Sequence, residues 1–195
     1  MKQQTSLIAF LAIILSSHSL ASDVDPSQLE HQKRTPQGLY LSAREAYQLK
    51  QAKGDKALFI DVRTQSELEF VGAATTMDIN IPYELNDFSQ WDETKSRFRK
   101  PANSAFTLGV EAAIKSRQMG KTTPLILMCR AGKRSAKAAK LLSQAGYQYV
   151  YTVVDGFEGN MAKTGSHKGQ RSVDGWKNAG LPWSYKLVKE TMYFE

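Results

Sequence analysis

The sequence predicts an α/β domain with a five-stranded, mainly parallel sheet and helices on both faces. Two observations lead there. Short apolar runs alternate with helix-period segments along the chain. The runs also lack the two-residue alternation of a sheet with one wet face, so they read as strands buried on both sides. Neither an internal repeat nor a low-complexity linker interrupts the pattern.

The elements follow in order. Leu39 to Ser42 is a short strand, and Ser42 caps the helix beyond it, with Glu45 completing a capping box. Ala46, Leu49 and Ala52 line that helix, and Gly54 ends it. Ala57 to Arg63 is a second strand ending in charge. Thr64 then caps a short acidic helix, with Glu67 at its third position and Gly72 beyond its end. Met77 to Pro82 is the third strand. A polar stretch from Tyr83 to about Pro101 holds Trp91 and the basic cluster KSRFRK. Phe106, Val110, Ala113 and Ile114 stripe a third helix stopped by Gly120. Pro124 to Arg130 is the fourth strand, and Lys133 to Gly146 the fourth helix. Tyr149 to Gly156 is the fifth strand. The segment from Phe157 onward reads as a long loop ending in a short helix that contains Trp176. Trp91, Trp176 and Trp183 read as packing residues.

The chain has 195 residues. Its start has the three parts of a secretory signal peptide: Lys2, an apolar run from Leu7 to Leu15, and small residues at Ser19 and Ala21. Cleavage is expected after Ala21, which leads to a periplasmic location. The expected organisation is a signal peptide over 1–21, a flexible arm over 22–37, one domain over 38–186 and a tail over 187–195. No later segment is apolar for long enough to span a bilayer, so no stable membrane insertion is expected after cleavage. The net charge of +7 suits anionic small substrates or an acidic partner. The basic residues are spread along the chain without a nucleic-acid-binding signature, so no nucleic acid is expected as a partner.

Cys129 is the only cysteine. In an exported chain a lone cysteine is a reactive thiol or an intermolecular partner. It stands at the carboxyl end of a parallel strand, where such sheets bind ligands. The sequence RAGKR then turns the chain into a helix. A helix start supplies unpaired N–H groups and a positive dipole end, and consecutive N–H groups in a tight loop form an anion-binding nest. Gly132 allows a backbone conformation that other residues resist, and Arg130, Lys133 and Arg134 add positive charge. Such surroundings favour the nucleophilic thiolate and need no histidine base. His31 and His167 lie in predicted loops, which argues against a Cys–His protease. With isolated histidines and no second cysteine, neither a metal site nor a cofactor is expected.

CRAGKRS after an apolar strand resembles the active-site loop of the rhodanese (sulfurtransferase) family. The resemblance extends to LFIDVRTQSELEFVGA with INIPY, and to VVDGFEGN with GWKNAGLPW, in the same order from Leu39 to about Pro182. It implies a five-stranded parallel sheet and a cysteine that accepts a sulfane sulfur as a persulfide. Carried over, Cys129 is the nucleophile. The backbone from Arg130 through Ala131, Gly132 and Lys133 to Arg134 cradles the terminal sulfur. The side chains of Arg130, Lys133 and Arg134 attract a thiosulfate-like donor, and Arg134 also ties the loop down. Asp61 and Arg63 are supporting scaffold or a surface ion pair, and Glu67 is a helix charge rather than a catalytic acid. Phosphatases of related architecture have a longer loop between cysteine and arginine. Here four residues separate Cys129 from Arg134, and Ser135 stands where the phosphatase arginine would fall.

The expected partners are a small anionic sulfur donor and a thiol or cyanide acceptor, with a protein partner as a further candidate. The segments 83–121 and 158–175 exceed what a minimal member needs, and they either shape acceptor access, dock a partner or are solvated insertions. Two other readings stay open: a non-catalytic partner-binding module, and a redox protein that uses a single thiol.

Overall fold

The computed structural model describes residues 22–194. The signal-peptide reading of residues 1–21 lies outside them. Five parallel strands form the central sheet: β1 (Tyr40–Leu41), β2 (Leu58–Asp61), β3 (Ile79–Asn80), β4 (Leu125–Met128) and β5 (Val150–Val153). Their spatial order is β1-β5-β4-β2-β3. Four helices connect them: α1 (Ala43–Lys53), α2 (Gln65–Val71), α3 (Phe106–Ser116) and α4 (Lys133–Gln144). Among the described residues no helix is long and apolar enough to cross a membrane.

The unbroken apolar strands divide their side chains between two cores, because successive residues of a strand face opposite ways. Leu58, Ile60, Leu125 and Leu127 pack against α3 and α4. Phe59, Ile126 and Met128 face the other way, into a core with α1, Leu68 of α2, Phe157 and Trp176. β2 and β4 pair in register from Leu58 with Leu125 to Asp61 with Met128, so both strands end level at the carboxyl edge.

Both expected capping boxes are present. Ser42 Oγ accepts from the Glu45 N–H at 3.3 Å while the Ser42 N–H donates to Glu45 Oε2 at 2.6 Å. Thr64 and Glu67 repeat the arrangement at α2. A cap of this kind contributes about 1 kcal/mol. At α2 it also sets where Glu67 points.

Three segments differ from the sequence expectation. The polar stretch after β3 contains an antiparallel hairpin, Asp87–Asp92 with Arg97–Arg99. There Trp91 packs edge-on against Phe98, as does Phe88, and all three stay exposed rather than joining the core. The long loop after β5 contains a second small hairpin, Asn160–Met161 with Arg171–Val173, and Trp176 lies in a run of turns rather than a helix. Trp176 is nevertheless fully buried against Phe59 and Tyr47. The arm over 22–37 was expected to be loose. It instead forms two 3-10 turns and is held by the Asp23 N–H donating to Glu45 at 2.6 Å and by the Gln37 amide donating to Tyr147 O at 2.7 Å.

Asp61 and Arg63, at the end of β2, form an ion pair with both side chains fully buried, so they are not a surface pair. Arg63 Nη2 donates to Asp61 Oδ2 at 2.6 Å and to the Gly72 carbonyl at 3.0 Å, and the guanidinium sits 4.0 Å above the Phe157 ring. Removing one partner from a buried pair leaves an uncompensated charge. Asp61→Ala should therefore lower stability by about 3–5 kcal/mol in urea titration. A loss below about 1 kcal/mol would show that the fold does not depend on this pair.

Candidate active site

β4 delivers the chain to Cys129 at the carboxyl edge of the sheet. Arg130, Ala131 and Gly132 then turn it into α4, which begins at Lys133. Gly132 has φ 91°, a left-handed conformation, and a Cβ there would run into the Val154 carbonyl. Gly156 has φ 67°, and a Cβ there would strike the Cys129 carbonyl and the Ala131 nitrogen. Glycine is required on both sides of this contact because two backbones approach more closely than a side chain permits. The Phe157 N–H donates to Cys129 O at 2.8 Å, and the Glu158 N–H donates to Arg130 O at 3.0 Å. The turn after β5 thus clamps the cysteine loop.

The Cys129 side chain lies at the bottom of this loop, with the residue 1% exposed. The Gly132 N–H donates to its sulfur at 3.2 Å. The thiol in turn lies 3.6 Å from Ser135 Oγ, and that hydroxyl donates to the Gly132 carbonyl at 2.9 Å. The positive end of the α4 dipole adjoins the same loop. An N–H aimed at sulfur and a helix start beside it both stabilise negative charge there. A bound anion would meet the same groups.

Each neighbouring cation has a distinct position. Arg134 makes a bidentate pair with Glu67, Nη1 to Oε2 at 2.7 Å and Nη2 to Oε1 at 2.6 Å, and so ties α4 to α2 across the site. Burial works against the Glu67 carboxylate, but the Arg134 guanidinium and the nearby Lys100 outweigh it and hold the group at about 2. Lys133 pairs with Glu30 of the arm at 2.7 Å. Arg130 is exposed and has no carboxylate partner among the described residues. Asp61 and Arg63 do not reach the thiol. They lie beneath the site, and Arg63 supports Phe157, whose N–H holds the Cys129 carbonyl. His167 bonds Gln170 at 3.0 Å in an exposed turn, and among the described residues no histidine hydrogen-bonds Cys129.

Above Cys129 opens a cleft of about 1010 Å³. Its walls come from segments whose roles the sequence left open. Glu30 and Gln32 of the arm form one side, Arg97 and Lys100 of the first hairpin another, and Asn160 to Val173 a third. Lys33, only 5% exposed, donates from Nζ to Asn160 Oδ1 at 3.2 Å and so joins the arm to the third wall. Burial pushes the Lys33 ammonium down, against the opposing pull of Glu30. Sequence reasoning did not assign Glu30, Lys33, Arg97, Lys100 or Arg171 to this site. The KSRFRK cluster and the extra length of 158–175 were the visible signals, and neither shows where the hairpins fold.

Because Glu67 is held below its ordinary value, its stabilising contribution is full above pH 4.5 and disappears as pH falls toward 2. Glu67→Gln should remove up to about 3 kcal/mol at pH 7 and flatten the acid limb of the stability–pH curve. An acid limb unchanged from wild type would contradict the pairing with Arg134.

Residues 42–163 match the family model of the rhodanese-like domain. Over 135 residues the chain is 30% identical to the uncharacterized protein RP600 homolog of Rickettsia rickettsii, a match covering 67% of this chain and 85% of that one. Uncharacterized protein RC0915 of Rickettsia conorii matches at the same identity and coverage. The crystal structure of Rv0390 from M. tuberculosis superposes with a TM-score of 0.56 at 26% identity, covering 75% of this chain and 97% of that one. The strand order, the cysteine loop and these likenesses agree: the chain belongs to the rhodanese-like domain family.

Proposed function

We propose that the protein is an exported sulfurtransferase that carries sulfane sulfur as a persulfide on Cys129. The observation that supports this most is the seating of a lone thiol under a backbone N–H, in a clamped loop at the floor of a basic cleft. In the first half-reaction the Cys129 thiolate attacks the outer sulfur of a thiosulfate-like donor. A Cys–S–S bond forms, the donor S–S bond breaks, and sulfite leaves with the electron pair. In the second, an acceptor thiolate or cyanide attacks the terminal sulfur, and Cys129 leaves as the thiolate. The loop's N–H groups favour negative charge in both steps. Arg130 faces the donor, while Arg134 and Lys133 hold the loop through Glu67 and Glu30.

The short loop supports sulfur rather than phosphoryl transfer. Ser135 fills the position after Arg134, and its hydroxyl is committed to Gly132 inside the loop. The leader sequence is the ground for export and a periplasmic location. The exposed Phe88, Trp91 and Phe98 face favours a second reading, a rhodanese-like module that binds a partner without turnover.

Steady-state kinetics with thiosulfate and cyanide should give parallel double-reciprocal lines. Cys129→Ser should lose at least about 1000-fold in kcat. Intersecting lines, or a fully active serine variant, would contradict the mechanism. Absence of turnover on any sulfur donor would favour the binding module.

A further inference from the structure

The cleft is far larger and more basic than a two-sulfur oxoanion needs. Nine basic residues line it against three acidic ones. Two of the acids, Glu67 and Glu30, already pair with Arg134 and Lys133. Arg97, Arg130, Lys137, Lys163, Lys168 and Arg171 have no carboxylate within salt-bridge distance among the described residues. They come from the first hairpin, the cysteine loop, α4 and the second hairpin, so the charge surrounds the approach to Cys129. Among the described residues no aromatic side chain lines the cleft. A groove that holds single-stranded nucleic acid combines positive charge with stacking platforms, and these are missing here. The thiol itself is buried, so an acceptor must enter on a slender chain rather than meet it at a flat surface.

From this arrangement we infer that the sulfur acceptor is a cysteine flanked by carboxylates on an extended, acidic protein segment. Arginine forks and lysine ammonium groups match carboxylates on either side of the reacting thiol. The inference rests on the sulfurtransferase reading for its chemistry and on the cleft for its selectivity. The acceptor thiolate attacks the terminal sulfur of the Cys129 persulfide. One S–S bond forms on the acceptor, one breaks at Cys129, and the Cys129 thiolate takes the electron pair, with no external oxidant or reductant.

Two measurements separate the parts. Binding is measured by calorimetry on the wild-type protein, with a pentapeptide of glutamates around a central serine and with its glutamine counterpart. The acidic peptide should bind about tenfold tighter or more, and raised salt should remove most of the difference. Lys163→Gln with Lys168→Gln should cut the preference about fivefold, whereas Lys53→Gln with Lys56→Gln, equal in charge change but away from the cleft, should leave it. Equal affinities, or a preference that follows net charge alone, would overturn the inference.

Discharge is then measured with the cysteine-centred peptides on protein whose persulfide has been verified by mass. Faster discharge by the acidic peptide supports the inference. Equal rates, or an equally fast small dicarboxylate thiol, would overturn the protein-segment assignment. Failure of Cys129 to load would count against sulfur transfer itself, while the binding result still decides whether the cleft selects acidic segments.

Discussion

Cys129 and Gly156 meet backbone to backbone, and the geometry of the site follows from that approach. The carbonyl of Cys129 accepts the Phe157 N–H, and no side chain fits between the loop and the turn after β5. Gly132 repeats the constraint from the loop side, against Val154. With both glycines in place the loop packs directly against that turn, and its N–H group at Gly132 points at sulfur. Preorganised donors of this kind stabilise developing charge without rearranging at the moment of reaction. The buried Asp61–Arg63 pair extends the same support downward through Phe157.

Charge around the loop is divided between holding and receiving. Glu67 engages the whole Arg134 fork, and Glu30 engages Lys133. The largely buried Arg134 pair ties α4 to α2, and the half-exposed Lys133 pair bridges α4 to the arm. The cations without carboxylate partners come from the cysteine loop, α4 and the two hairpins, and they line the cleft around the thiol. The cleft is therefore lined by an excess of positive charge, which under the proposed function would draw in an anionic donor.

Much of this was legible in the sequence because the signals were local. The capping boxes at Ser42 and Thr64 need only a spacing of three residues, and the buried strands need only a continuous apolar run. Cys129 stood out as a lone thiol at a strand-to-helix junction. The rest depends on long-range packing. The hairpin at Asp87–Arg99 has a register shift and exposes its aromatic residues, so no clean alternation marks its strands. The second hairpin has very short strands and an irregular register. Glu30 and Lys33 belong to a mostly polar arm with no periodic apolar pattern. Their role appears only when the fold brings Lys133 and Asn160 beside them. Trp176 signalled packing correctly but not its setting, because turns held by Phe157 and Gly156 replace the expected helix.

We propose that the clamped loop makes Cys129 a sulfur carrier, and intact mass spectrometry after exposure to thiosulfate reads the transferred sulfur itself. The wild-type protein should gain about 32 Da, one sulfur, reversed by a thiol reductant and absent in Cys129→Ser. An unmodified wild-type mass while Cys129 still reacts with an alkylating agent would contradict it.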